Sequence, residues 1–113
     1  MITASDVREI VSIYIKHGWI LRRVLLSPAT RADVHTDIFD FPGVAVHDSD
    51  VDAMWFSRPP NGGGVPWEIR HLSSAPYALL FTINEHDEGF EESLKSAESV
   101  LVTNLQGKNF LDN

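Results

Sequence analysis

Apolar and polar side chains alternate along two stretches in the middle of the chain, residues 67–72 and 77–84. This alternation predicts β-strands whose two faces differ chemically. Short connections separate these stretches from each other and from an earlier apolar run, whereas a parallel return would need a crossover of about a dozen residues. We therefore expect consecutive strands that form an antiparallel meander between Asp52 and Asn84.

The pattern near each end of the chain has the period of an amphipathic helix. The first predicted helix has Asp6 and Glu9 as a capping box and ends at Gly18, and the second ends at Gly107. Each helix therefore has one apolar face to bury against a sheet. These faces consist of Val7, Ile10, Val11 and Tyr14 in the first helix and of Phe90, Leu94, Ala97, Leu101 and Leu105 in the second.

Further strands are expected between the first helix and the meander. The run Trp19–Ser27 is rich in β-branched and aromatic residues and is followed by Pro28, which is typical of a strand that stops there. A short strand is expected at Val44–His47. The region between these strands has no sustained period and predicts an irregular connection with one helical turn around Ala29–Asp33.

These elements predict a single α+β domain over residues 1–113. We expect a two-layer arrangement, in which an antiparallel meander sheet of four to five strands has the N- and C-terminal helices packed on one face. An opposite face that mixes charged and apolar residues would need a cover, either a partner protein, a second copy of the chain or a ligand. The face under the helices would carry Trp67, Ile69, Tyr77, Leu79 and Phe81, and the open face Glu68, Arg70 and Thr82 beside Leu72 and Leu80.

Composition excludes several classes of protein. Cysteine is absent, so the chain can form neither a disulfide nor a thiolate metal site. No apolar run approaches the roughly 20 residues that span a bilayer, and the N-terminal sequence MITASDVREI lacks the apolar core of a signal peptide. We expect a cytoplasmic protein without a membrane partner.

The net charge of −7 is distributed unevenly along the chain. Residues 1–32 carry five basic and two acidic side chains, a net charge of +3, whereas residues 33–113 carry a net charge of −10. Binding to nucleic acid requires a dense basic patch, and the adjacent Arg22 and Arg23 are expected to point to opposite faces of their strand. We therefore expect no nucleic-acid partner, and we interpret the asymmetry as charge pairing within one domain.

Acidic and histidine side chains are dense in residues 33–52, which makes this stretch a candidate cation site. Its last alternating aspartates resemble the opening of a calcium-binding loop. The sixth position of such a loop would be Ala53 rather than glycine, and the twelfth would be Pro59 rather than glutamate. We therefore interpret the stretch as a solvated loop edge, and we expect neither a metal nor a cofactor. The aspartates concerned are Asp48, Asp50 and Asp52.

The candidate ligand- or partner-binding residues are Arg58, Trp67, Glu68, Arg70 and His71. The two arginines could hold an anion, the glutamate or the histidine could move a proton, and the tryptophan could stack on a ligand. In the alternative interpretation the tryptophan is a core residue, the histidine is half-buried, and Glu68 with Arg70 is an exposed pair on one face.

Two functions from different classes remain open. One is a non-enzymatic binding or protein-interaction module that works as a homo-oligomer or with a protein partner and has no catalytic residue. The other is a small enzyme or anionic-ligand-binding protein that uses Arg58, Glu68, Arg70 and His71. A deep pocket in which these side chains converge would favour the second function, and a flat or partner-covered sheet would favour the first. In either case the glycine-rich loop Pro59–Pro66 is expected to be a mobile tip that closes over whatever is bound.

Overall fold

The computed structural model describes residues 3–33, 39–60, 64–73 and 77–111, and only the backbone of residue 33 and residues 106–111. The class is α+β, as predicted. None of the helices in these ranges is both long and apolar enough to cross a lipid bilayer. The elements are α1 (Ala4–Lys16), β1 (Ile20–Leu26), α2 (Pro28–Asp33), β2 (Ala45–Asp48), β3 (Ala53–Ser57), β4 (Pro66–His71), β5 (Ala78–Thr82) and α3 (Phe90–Leu111).

The strands form one mixed sheet in the order β2–β1–β3–β4–β5. β3, β4 and β5 are successive antiparallel neighbours, which confirms the meander, and β1 lies antiparallel to β3. β2 lies parallel to β1, so the prediction of a purely antiparallel sheet is wrong at this edge. The connection between these two strands is long enough for a parallel return, and it includes α2, the helical turn that the sequence predicts.

The two long helices pack on opposite faces of the sheet, so the domain has three layers. Val7 of α1 shares a buried cluster with Met54 of β3, whereas Leu101 of α3 shares a different buried cluster with Trp55, the next residue of the same strand. Every residue of β3 is buried, and a strand that is buried on both faces needs a cover on both. The predicted two-layer packing, with both helices on one face, is therefore wrong.

The start of α1 and the end of α3 differ from the predicted ones, whereas α1 stops as predicted, just before Gly18, whose φ is +88°. Thr3 rather than Asp6 is the N-cap of α1, because its hydroxyl accepts a hydrogen bond of 3.1 Å from the Asp6 N–H and the Asp6 carboxylate accepts one of 2.9 Å from the Thr3 N–H. This capping box replaces the predicted pair of Asp6 and Glu9. α3 continues through Gly107 to Leu111, since a single glycine inside a helix costs only about 1 kcal/mol.

A β-bulge in β1 changes the direction of one arginine. Leu21 lies opposite Phe56 and Arg23 lies opposite Trp55, so Arg22 is an extra residue on its strand. The guanidinium of Arg22 lies 4.7 Å from the ring centroid of Trp67, and that of Arg23 lies 5.5 Å from the ring centroid of Phe90 on α3. Both arginines therefore lie on the face covered by α3, and the expectation that they point to opposite faces is wrong.

Candidate interaction site

The face that α1 covers remains open beside β5. Leu72, which the sequence analysis places on an open face, is only 6% exposed and belongs to the cluster under α1. Leu80 lies opposite Glu68 on the same face, and its side chain is 63% exposed. Its neighbours Ala78 and Thr82 are also exposed. The open, mixed face expected from the sequence is thus reduced to the part that β5 forms.

The backbone of β5 directs a set of hydrogen-bonding groups away from β4, at the edge of the sheet. The His71 N–H donates to the Tyr77 carbonyl at 2.9 Å, and the Ile83 N–H donates to the Val65 carbonyl at 3.1 Å. Backbone groups of successive residues in an antiparallel strand point alternately to its two sides. These two bonds show that odd-numbered residues of β5 direct their N–H and C=O groups toward β4, so even-numbered residues direct theirs away from it. Within the described part of the chain, no strand lies beyond β5. The outward-directed groups belong to Ala78, Leu80 and Thr82.

The two edges of the sheet differ in how they are protected. β2 has four residues, and its exposed His47 and Asp48 place polar and charged side chains at the edge. β5 has the sequence ALLFT, without a charged residue or proline, and it pairs with β4 in an uninterrupted register. Charges, prolines and bulges are the usual means by which proteins prevent pairing at an edge. β5 has none of these three features.

Shallow grooves flank α3 on the other face of the sheet. A groove of about 500 Å³ lies between β5 and α3, and its lining includes Phe81, Ser96 and Val100. Val100 is 44% exposed there, so the groove has an apolar wall. A second groove of about 430 Å³ lies between the turn at residues 49–51 and the other side of α3. Neither of these two grooves contains any of the five candidate residues predicted from the sequence.

Three of those candidates lie on the α1 face, each in contact with a different group. The guanidinium of Arg58 lies 5.2 Å from the ring centroid of Trp19. The carboxylate of Glu68 accepts a hydrogen bond from the hydroxyl of Tyr14 on α1. Arg70 donates a hydrogen bond to the backbone carbonyl of its chain neighbour. Each polar head thus already has a partner in the protein.

The remaining two candidates, Trp67 and His71, point toward the α3 face, because they alternate with Glu68 and Arg70 along β4. Trp67 is buried and belongs to the cluster under α3, where its ring packs edge-on against Phe90. Burial lowers the pKa of His71, which favours the neutral imidazole. The five candidates are therefore divided between two faces of the sheet and do not line one pocket.

Tyr14 is a contact residue that the sequence analysis assigns only to the apolar stripe of α1. Its ring stacks on Phe56 with the centroids 3.9 Å apart, while its hydroxyl reaches Glu68. Burial, together with the nearby Glu68 carboxylate, raises the pKa of Tyr14. The only sequence signal was a tyrosine at the last position of an apolar stripe, where a polar tip can emerge beside a sheet.

Asp52, which belongs to the acidic stretch, has a structural role. Its carboxylate accepts hydrogen bonds from the Ser27 N–H at 2.8 Å and from the Thr30 hydroxyl at 2.7 Å, which ties the start of α2 to β3. Among the described residues, no group of three or more acidic or histidine side chains is positioned to hold a metal ion. Residues 34–38, which complete the candidate cation stretch, lie outside the described residues.

The tip of the predicted loop Pro59–Pro66, residues 61–63, also lies outside the described residues. Gly64 at its end has a φ of +149°. A Cβ atom there would lie 2.5 Å from Cγ2 of Thr82, so the loop returns to β4 in close contact with β5 and requires a glycine at this point.

Comparisons of the chain with protein-family models, with curated proteins and with solved structures found no match.

Proposed function

We propose that this protein is a non-enzymatic interaction module that binds an extended protein segment at the free edge of β5. The observation that carries the proposal is the row of outward-directed backbone groups at Ala78, Leu80 and Thr82, beside an exposed leucine side chain. A bound strand would pair with these groups, as in other proteins that recognise a segment by adding it to a sheet.

The surroundings of β5 indicate what kind of segment fits. Main-chain hydrogen bonds would provide affinity, and alternate side chains of the segment would contact the two faces of the sheet. On one face they would lie beside Leu80, and on the other they would border the groove that contains Phe81 and Val100. Because β5 itself carries no charge, the best-fitting segment is uncharged and extended at its centre.

The alternative function, a small enzyme or anionic-ligand-binding protein, gains no support from the positions of its residues. Arg58 and Glu68 contact different aromatic side chains on the α1 face, and His71 points toward the opposite face. An enzyme would need these groups within hydrogen-bond reach of one substrate. The alternative therefore stays a prediction.

The test is an NMR titration of the isotope-labelled protein with a capped peptide of alternating valine and threonine, flanked by lysines for solubility. We expect chemical-shift changes centred on the amides of Ala78, Leu80 and Thr82. The control peptide carries a central proline, which removes a backbone N–H donor. This peptide should therefore bind far more weakly. Equal effects of both peptides, or changes remote from β5, would contradict the proposal.

A matched pair of variants distinguishes binding at the β5 edge from nonspecific hydrophobic binding. Leu80→Lys places a charge on the edge strand, whereas Ile15→Lys makes the same kind of change at a site on α1 that is 59% exposed. Leu80→Lys should reduce peptide binding, and Ile15→Lys should leave it unchanged. Equal loss in both variants would indicate nonspecific apolar contact.

A further inference from the structure

We propose that the segment bound at this edge is β5 of a second copy, so that two chains join into one continuous sheet. This inference rests on the proposed function and specifies its partner. The two copies would pair antiparallel about a two-fold axis that passes beside Leu80 and is perpendicular to the sheet.

The backbone of β5 is self-complementary in this register. Leu80 of one copy would lie opposite Leu80 of the other, and Ala78 would lie opposite Thr82. These three residues are the ones whose backbone groups point outward, so all of their N–H and C=O groups would be paired, with about six new hydrogen bonds in total. No other centre of symmetry within β5 uses all three residues on both copies.

The side chains are also compatible with themselves. On the α1 face, the exposed Leu80 side chains of the two copies would pack against each other. On the α3 face, Leu79 of one copy would lie opposite Phe81 of the other. Every pair formed by Ala78–Thr82 is uncharged, so no like charges face each other between the two paired strands.

The α3 side of the junction supports the same arrangement. A two-fold axis perpendicular to the sheet keeps equivalent faces on the same side, so the α3 helices of both copies would flank the junction. The groove beside each β5, with its exposed Val100, would then adjoin the groove of the other copy. By contrast, a partner selected by its charge would find no charged residue on β5 to recognise.

The first experiment measures oligomeric state by sedimentation velocity from about 1 to several hundred micromolar, a range that covers weak and moderate dimers. The wild-type chain and Ile15→Lys should dimerise with the same dissociation constant, and Leu80→Lys should dimerise at least about tenfold more weakly. In case Leu80→Lys fails to fold, Ala78→Pro removes an outward N–H without breaking a bond to β4 and should weaken the dimer in the same direction.

The second experiment tests the register and uses the absence of cysteine from the chain. Under mild oxidation, Leu80→Cys should form a disulfide between copies, because the two positions are directly opposite. Thr82→Cys alone should not, since the two copies of that position would be about 13 Å apart at 3.3 Å per residue. The double variant Ala78→Cys/Thr82→Cys should crosslink again.

The outcomes separate this inference from the proposed function. A protein that stays monomeric at several hundred micromolar, yet binds the valine–threonine peptide at β5, would overturn the self-pairing inference and leave the proposed function intact. A dimer that is insensitive to Leu80→Lys and crosslinks equally at positions 80 and 82 would also overturn it. Failure of both dimerisation and peptide binding would overturn both proposals.

Discussion

The placement of α1 and α3 on opposite faces can be tested by combining Val7→Ala with Leu101→Ala. Both side chains are fully buried, the first in the cluster under α1 and the second in the cluster under α3. Leu101→Ala should cost about 3 to 5 kcal/mol of unfolding free energy through lost burial and the cavity that remains. Val7→Ala removes two methyl groups and should cost about 2 kcal/mol.

Because the sheet separates the two residues, the costs should add to within about 0.5 kcal/mol in the double variant. The summed cost approaches the whole stability of many domains. Urea unfolding of all variants is therefore measured in the same concentration of sucrose, which stabilises the folded state. Val7→Ala/Val11→Ala, a pair in one cluster, is the control for which coupling is expected. A coupling energy above about 1 kcal/mol between Val7 and Leu101 would refute the three-layer packing.

Three further predictions concern polar contacts. Tyr14→Phe removes the donor to Glu68 and should cost about 1 kcal/mol in urea unfolding, and a smaller effect in the Glu68→Gln background would confirm that the two act together. Burial lowers the pKa of His71 below 6.5, so near this pH the unfolded state binds more protons than the folded state, and the free energy of unfolding should fall as pH drops through 6.5 toward the folded pKa. His71→Gln should flatten this part of the stability–pH curve. An unchanged curve would refute the assignment of the pH dependence to His71. The hydrogen bonds from Arg23 lower the pKa of Glu91, so the stability that this pair contributes is present above the usual pKa of 4.5 and is lost as pH falls through the lower folded pKa. In Arg23→Gln, the pKa of Glu91 measured by carbon-13 NMR should rise toward 4.5. A Glu91 pKa that does not move would contradict the pairing.

The periodic parts of the chain could be predicted from the sequence because their patterns are local. Alternation in β4 and β5 indicates which residues share a face, and Trp67 and Ile69 do lie in the cluster that α3 covers. The side on which α1 packs could not be read from its own apolar stripe, since any apolar face of a sheet would suit it. The signal was in β3, where the run AMWFS has no alternating polar residue and therefore indicates burial on both sides.

The site depends on features that the local pattern does not contain. A bulge shifts Arg22 by one position, and its effect on side-chain direction cannot be seen from composition. The candidate residues Arg58 and His71 suggested shared chemistry because they lie in one short segment of the sequence, but their side chains are on opposite faces of the sheet. The free edge of β5 follows from strand order, a long-range property that places the last strand of the meander at the outside of the sheet.

The most direct test of the interaction edge is amide hydrogen exchange in β5, measured by NMR at low and high protein concentration. The Leu79 amide is hydrogen-bonded toward β4 and should be protected at both concentrations, so it serves as the internal reference. The Leu80 amide points outward; we predict fast exchange in dilute solution and protection that increases with concentration, in parallel with dimer formation. Leu80 exchange that is equally fast at all concentrations, in a protein that sedimentation shows to be dimeric, would contradict pairing through β5.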